Sequence, residues 1–360
     1  MIRVLIAEDS PVVRMHLKNI LEEDPDISVV GMAENGEDAV RLVQELQPDV
    51  VTMDINMPGT NGHVATRRIM ETNPVPIVVV TASYDPKDVR KSFMAMEAGA
   101  VAILEKPVGK GHPYYDEEAL NFVRTVKLMS EVKVVKRWPR RAPAPADSST
   151  LSLEMAGRDP DRPSSKNIKI VVIGASTGGP PVLQTILSGL NAKFPVPVIV
   201  VQHIAKGFLD GMVAWLSQTT HHPVHAAAGG ERLLPGHVYF APDDMHVGIS
   251  GGQIELSGAE PENGIRPSVS YLFRSAIRVF GPDIVGVLLT GMGKDGAEEL
   301  KLMKELGAIT IAQDRESSVV YGMPGEAVRL GAATYVFPPE KIARALEDIV
   351  RLNKTHEEVK

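Results

Sequence analysis

Cysteine is absent from all 360 residues. That removes disulfide frameworks, thiolate zinc sites, iron–sulfur clusters and thiol nucleophiles, so covalent chemistry has to come from Ser, Thr, Asp, Lys, His or Tyr. Also missing is any apolar run near the ~20 residues that span a bilayer. Residues 1–7 meet Glu8-Asp9 too early for a signal peptide. The expectation is a cytoplasmic protein with no direct membrane insertion. Excess charge is small, since 38 Lys+Arg against 45 Asp+Glu leave −7. Such a balance argues against nucleic acid as a dedicated partner. What is present, 44% hydrophobic and 23% charged residues, is globular composition. At ~150 residues per domain the length predicts about two domains.

Short Val/Ile runs at 4–7, 29–33, 50–53, 77–81 and 101–104 alternate with helical patterns such as 12–21 and 37–46. This βαβ alternation predicts a doubly wound parallel sheet over the first third. The composition then changes. Lys127, Lys133, Lys136, Arg137, Arg140 and Arg141 crowd together, and Pro with small polar residues fills 142–149 and 158–165. The stretch 133–166 reads as a linker, and its basic cluster as a solvated helix end. Alternation resumes with strands expected at 168–173, 196–201, 238–240 and 284–290. A hairpin is expected where 246–250 and 253–257 flank Gly251-Gly252. The fold class is therefore α/β, with two doubly wound parallel-sheet domains at 1–132 and 167–350, the second carrying a β-hairpin.

Polar residues follow the predicted strands of the first domain: Glu8-Asp9 after the first, Asp54 after the third, Thr81 at the end of the fourth, Lys106 after the fifth. Ligands of open parallel α/β sheets bind outside the carboxyl ends of the strands. Any one of these residues is explained as a turn former. Five at consistent strand ends point to a site. Glu8, Asp9 and Asp54 repel one another unless a hard cation joins them, and oxygen ligands favour Mg²⁺. Asp54 is placed to attack a phosphoryl group, with Thr81 and Lys106 holding the transferred oxygens.

On Ala7-Glu8-Asp9-Ser10, Asp54-Ile55-Asn56-Met57-Pro58-Gly59, Thr81-Ala82 and Glu105-Lys106-Pro107, residues 1–130 resemble a flavodoxin-like response-regulator receiver domain. The resemblance implies phosphorylation of Asp54 by a partner histidine kinase. It also implies that the Asn56 backbone carbonyl joins Glu8, Asp9 and Asp54 around Mg²⁺. Many receivers carry an aromatic switch residue three positions before the lysine; here Ile103 occupies that place.

In the second domain Gly174-Ala175-Ser176-Thr177-Gly178 satisfies G-x-S-x-G after a strand and before a helical pattern at 181–190. Glycines permit a tight strand-to-helix turn that exposes the serine, and amides at the helix start would meet an oxyanion, Thr177 among them. The same stretch is one residue from a dinucleotide fingerprint, so a nicotinamide oxidoreductase competes. Such a site wants Asp or Glu after the next strand. This chain has Gln202-His203. The strand at 284–290 then leads to Gly293-Lys294-Asp295-Gly296. Ser176, His203 and Asp295 thus supply a nucleophile, a base and an orienter at three strand ends. Their order differs from the Ser–Asp–His of α/β-hydrolases. Another cluster, His221-His222-Pro223-Val224-His225, has the histidine density of a metal site, but Pro223 breaks helical ligand spacing. It is expected to be a surface loop. A DNA-binding output domain would need a helix-turn-helix, and none is evident in 168–360.

Residues 168–350 resemble the catalytic domain of the chemotaxis protein-glutamate methylesterases. The resemblance rests on 174–180, 200–203, Arg266-Pro267-Ser268-Val269, 288–296, Gln313-Asp314 and 317–324. A receiver joined by a linker to a Rossmann-like serine hydrolase is that family's arrangement. It implies hydrolysis of glutamyl methyl esters on methylated chemoreceptors, and deamidation of receptor glutamines. Met292 is the family's oxyanion donor, and the esterase step needs no cofactor. Ser270 stands where many members have an acid, which bears on the substrate groove.

Overall fold

In the computed structural model of the chain, residues 1–82, 86–132, 134 and 167–354 are described. Apart from Val134, the linker with its basic residues Lys133, Lys136, Arg137, Arg140 and Arg141 lies outside the described residues. Val- and Ile-rich segments form β1 (Ile2–Ala7), β2 (Ile27–Ala33), β3 (Val50–Met53), β4 (Ile77–Thr81) and β5 (Ala102–Glu105). They pair in parallel in the order β2-β1-β3-β4-β5, the flavodoxin-like order, which reverses direction between β1 and β3. β5 falls one residue later than expected.

Five helices cover this sheet: α1 (Pro11–Glu22), α2 (Gly36–Leu46), α3 (Gly62–Thr72), α4 (Pro86–Ala98) and α5 (Tyr115–Ser130). α1 begins where Ser10 caps the Val13 N–H and Pro11 presets a helical φ. Asn35 and Asn61 cap α2 and α3 in the same way. Strand alternation sends Leu5 and Ala7 to a core under α2, α3 and α4, and Val4 and Ile6 to a core under α1 and α5.

The second domain runs β6 (Ile170–Ala175), α6 (Gly179–Gly189), β7 (Val198–Gln202), α7 (Leu209–Thr219), β8 (Val224–Ala226) and β9 (Val238–Phe240). A hairpin of β10 (His246–Ser250) and β11 (Gln253–Ser257) follows. Then come α8 (Val269–Phe280), β12 (Ile284–Leu288), α9 (Ala297–Glu305) and β13 (Ile309–Gln313). α10 (Met323–Arg329), β14 (Tyr335–Phe337) and α11 (Pro339–Lys354) complete it. Seven strands form one parallel sheet, β14-β13-β12-β6-β7-β9-β8. From β6 the chain first extends towards β7 and later towards β12. The switch point is therefore at β6, where crevices form beyond the strand ends.

Two expectations change. The β12 ladder stops at Leu288, short of 290, because the Thr290 N–H bonds to the Gln313 side-chain oxygen at 2.8 Å. The histidine-rich stretch is not a surface loop. Residues 224–226 are the edge strand β8, and His222 is buried with Nδ1 3.1 Å from the Gly236 carbonyl. The Pro223 carbonyl accepts from Val238 N at 2.9 Å, so the proline feeds the sheet without needing an N–H of its own.

The domains share a core. Val89 and Phe93 of α4 are buried among the side chains of α6 and α7. Phe93 stacks on Trp215 with ring centroids 5.4 Å apart and planes 16° from parallel. A second contact comes from Val319 and Val320, which pack on the cluster under α1 and α5. Among the described residues no helix is long and apolar enough to cross a membrane.

Candidate active site and acidic pocket

β12, β6 and β7 are neighbours, so the residues after them converge. Ser176 leaves the end of β6, with its N–H on the Thr290 carbonyl at 3.0 Å. His203 follows β7 and donates its N–H to the Ala175 carbonyl at 2.9 Å. Gln202 bridges the two, its side-chain amide donating to the carbonyls of Ser176 and His203, both at 2.8 Å. Gly291 lies against the serine: a Cβ there would stand 2.6 Å from Ser176 Cβ and 2.5 Å from Met323 Sδ. Residue type at 291 is thus dictated by close approach.

His203 Nε2 lies 3.0 Å from Asp295 Oδ2. That bond engages Nε2 and leaves Nδ1 without a hydrogen bond among the described residues. Asp295 is 8% exposed and accepts three further bonds, from Val269 N at 2.7 Å, Ser270 N at 3.0 Å and Ser268 Oγ at 3.1 Å. These donors come from the start of α8, where the helix field favours a negative charge. Burial pushes the Asp295 pKa up, but the hydrogen bond and charge of His203 together with the Val269 amide prevail, and it falls to about 2. The carboxylate is therefore ionised at neutral pH. Among the described residues the Ser176 hydroxyl makes no hydrogen bond, and neither the Thr177 nor the Met292 N–H is occupied. Both amides are available to an oxyanion beside Ser176.

Sequence reasoning missed the Asp295 cradle. Ser268-Val269 stood out as a motif without a role; the signal was Ser268 as a helix N-cap, since its Oγ accepts from Tyr271 N. Ser270 is also placed differently from the expected groove. It is buried behind Asp295, accepting from Gly296 N at 3.0 Å and donating to Glu299 at 2.6 Å. Thr290 ties the serine turn to the 317–321 segment: its hydroxyl lies 3.0 Å from the Thr177 carbonyl and accepts from Val320 N at 2.9 Å.

At the carboxyl ends of the first sheet, carboxylate oxygens of Glu8, Asp9 and Asp54 lie within 4.8 Å of one another. Glu8 and Asp54 are buried and Asp9 is exposed. Lys106 Nζ pairs with Glu8 at 2.8 Å and with Asp54 at 3.0 Å. Burial, helped by repulsion from Asp54, raises the Glu8 pKa despite the lysine. Burial opposes the Lys106 charge, yet the two carboxylates outweigh it and raise its pKa. An all-oxygen acidic donor set with one half-buried lysine beside it fits a hard divalent ion. Asn56 is adjacent, its side-chain oxygen held by Lys91 Nζ of α4 at 3.0 Å. Thr81 and Lys106 line a cavity of about 200 Å³ whose wall includes Phe208 of the second domain. Phe208 is five residues beyond His203, a link no local pattern reveals.

A CheB methylesterase family model matches residues 171–346, and a response regulator receiver domain model matches residues 4–112. A protein-glutamate methylesterase/protein-glutamine glutaminase of Geobacter metallireducens is 56% identical over 97% of this chain and 99% of its own length. The chain belongs to the protein-glutamate methylesterase/protein-glutamine glutaminase family. A Nitrosospira multiformis relative of the same name is 54% identical, covering 97% of both chains. The crystallised catalytic domain of Thermotoga maritima CheB methylesterase is 40% identical, covering 51% of this chain and 99% of that one with a TM-score of 0.49. In this family's terms the first domain is the receiver and the second the methylesterase domain.

Proposed function

We propose that the chain is a phosphorylation-activated hydrolase that removes methyl groups from glutamyl methyl esters of chemoreceptors, releasing methanol, and deamidates receptor glutamines. The setting is chemotaxis adaptation in the cytoplasm. Its units are a receiver at 1–132, a linker at 133–166 and a catalytic domain at 167–350. The observation that carries the reading is the 3.0 Å bond from His203 to a buried, ionised Asp295 on the strand ends flanking Ser176.

In this reading Ser176 Oγ attacks the ester carbonyl while His203 takes its proton. The N–H groups of Met292 and Thr177 receive the oxyanion. His203⁺, stabilised by Asp295, then protonates the leaving methoxide, and methanol departs. Water attacks the acyl-enzyme with His203 again as base, which regenerates Ser176 and leaves glutamate. With a glutamine substrate the leaving group is ammonia. Ser176→Ala is expected to abolish methanol release while phosphorylation of Asp54 persists. Methanol release retained by that variant sinks the serine assignment.

The phosphodonor is a chemotaxis histidine kinase, and Asp54 is the acceptor. Mg²⁺, held by Glu8, Asp9, Asp54 and the Asn56 carbonyl, supplies charge neutralisation of the phosphoryl oxygens when bound. Lys106 and Thr81 bind those oxygens from the side of β4 and β5. The unphosphorylated receiver covers the catalytic crevice, and phosphorylation shifts the population towards an open form. Support comes from Val319, which packs on the receiver and also against Gly178 of the serine turn, where a Cβ would lie 2.6 Å away. A 167–360 fragment is expected to exceed the unphosphorylated full chain in methanol release. Equal rates overturn the covering idea.

A further inference from the structure

Beyond the carboxyl ends of β12 and β13, against α10, lies a cavity of about 570 Å³. Its lining includes Gly293, Lys294, Arg315, Tyr321, Glu326 and Arg329. Three of these side chains are cations and one is an anion, in a protein whose overall balance is acidic. Glu326 is already matched, since Arg329 clamps both its oxygens at 2.7 Å. Among the described residues Lys294 and Arg315 form no ion pair. The cavity therefore carries a net positive charge that its own walls do not neutralise.

The position of Arg315 is built rather than incidental. The Tyr321 ring lies on α10 over Gly325, where a Cβ would stand 2.9 Å from Cδ1. Arg315 sits over that ring at 5.5 Å from its centroid. The ring is tied to the reacting centre through its backbone: Tyr321 pairs with Gly291 in an isolated bridge, and Gly291 abuts Ser176. Lys294 is two residues beyond Met292 and adjacent to Asp295. The basic wall is thus continuous with the catalytic loop.

We propose that Lys294 and Arg315, beside the matched Arg329–Glu326 pair, form a specificity subsite for carboxylates of the polypeptide substrate, those of acidic residues flanking the esterified glutamate. The proposal rests on the esterase reading above and adds which substrate segments are favoured. A guanidinium seated over an aromatic ring still has N–H groups to offer carboxylates, and its charge steers an acidic segment towards the serine. Free anions offer the same chemistry; an intramolecular carboxylate is favoured because the wall is continuous with the site where the ester must lie.

The test uses the phosphorylated full chain and a soluble receptor fragment bearing one glutamyl methyl ester, with Glu or Gln at the flanking positions. Methanol release gives kcat and KM. For the wild-type chain kcat/KM falls about fivefold on the Gln-flanked fragment, through KM, as expected for a few exposed charge pairs. Arg315→Gln loses a similar factor on the Glu-flanked fragment, and both changes together cost no more than one. Arg329→Gln also lowers kcat/KM on the Glu-flanked fragment, because it leaves the Glu326 charge unmatched beside the subsite. Added salt narrows every difference. The proposal is overturned if Arg315→Gln and wild type discriminate the fragments equally, or if wild type hydrolyses both alike. Hydrolysis of neither fragment by wild type overturns the esterase reading as well, which separates the two failures.

Discussion

Phe93 of the receiver stacks on Trp215 of the catalytic domain, ring centroids 5.4 Å apart. Both are nearly inaccessible to solvent. The pair joins α4, which also sends Lys91 to Asn56 beside Asp54, to α7, which starts six residues after His203. α4 therefore touches both the acidic pocket and the second domain. Ile103, at the usual aromatic switch position, packs against this same mixed core. The aromatic contact is made from α4 instead.

Loss of that stack should favour the open form. A stacked pair is worth ~0.5–1.5 kcal/mol beyond its area, or about 2- to 12-fold in an equilibrium. Phe93→Ala is expected to raise methanol release without a phosphodonor by a factor in that range. Release at the wild-type basal rate would falsify the coupling.

Asp295 links catalysis to acid stability. Its pKa is lowered from 3.8 to about 2 in the folded chain. A depressed carboxyl stabilises the fold above its unfolded pKa, and the contribution is lost as pH falls through the folded one. The window is thus roughly pH 4 down to 2, and the amount about 2 kcal/mol. In urea titrations the stability gap between wild type and Asp295→Asn should shrink across that window. At neutral pH the same variant should lose about 10²–10⁴-fold in methanol release, because the imidazole loses its anionic partner. A gap that stays constant from pH 7 to 3 argues against the ionised cradle.

Gly291→Ala tests the close approach at the serine. The new methyl would stand 2.6 Å from Ser176 Cβ and 2.5 Å from Met323 Sδ, so one of them must move. Overpacking costs about 1–3 kcal/mol. A displaced nucleophile costs about 10²-fold in kcat. An unchanged kcat in a folded variant would show that the serine turn yields freely.

Chelation separates the two chemistries. With EDTA present, phosphoryl uptake at Asp54 from a small phosphodonor should cease, while basal methanol release continues unchanged. Radiolabelled uptake and methanol assays read the two arms. Parallel loss of both would place a metal in the esterase step.

Phe208→Leu addresses the reverse route, from phosphoryl site to catalytic loop. Phe208 is buried and helps wall the cavity at Thr81 and Lys106. The shorter side chain should leave phosphorylation intact and cut the activation ratio by about threefold, the scale of a lost packing contact. A wild-type ratio shows that the signal travels elsewhere.

Much of the site was legible because strand ends are legible. Val/Ile runs mark parallel strands, and the residues just beyond them are the ones a doubly wound sheet presents. Asp54, Lys106, Ser176, His203 and Asp295 could be named on that rule. The sequence by itself also bounded the chemistry available: without cysteine no thiol can serve as nucleophile, and a serine stands at the glycine turn. What it could not contain was distance between segments remote in the chain. Only the tertiary structure decided that α8 delivers Ser268, Val269 and Ser270 to Asp295. Only it decided that Gly291 presses on Ser176, that β8 takes up the histidine-rich stretch, and that Phe93 meets Trp215. Periodicity records which face of an element is apolar; which partner covers that face is set by packing over the whole fold.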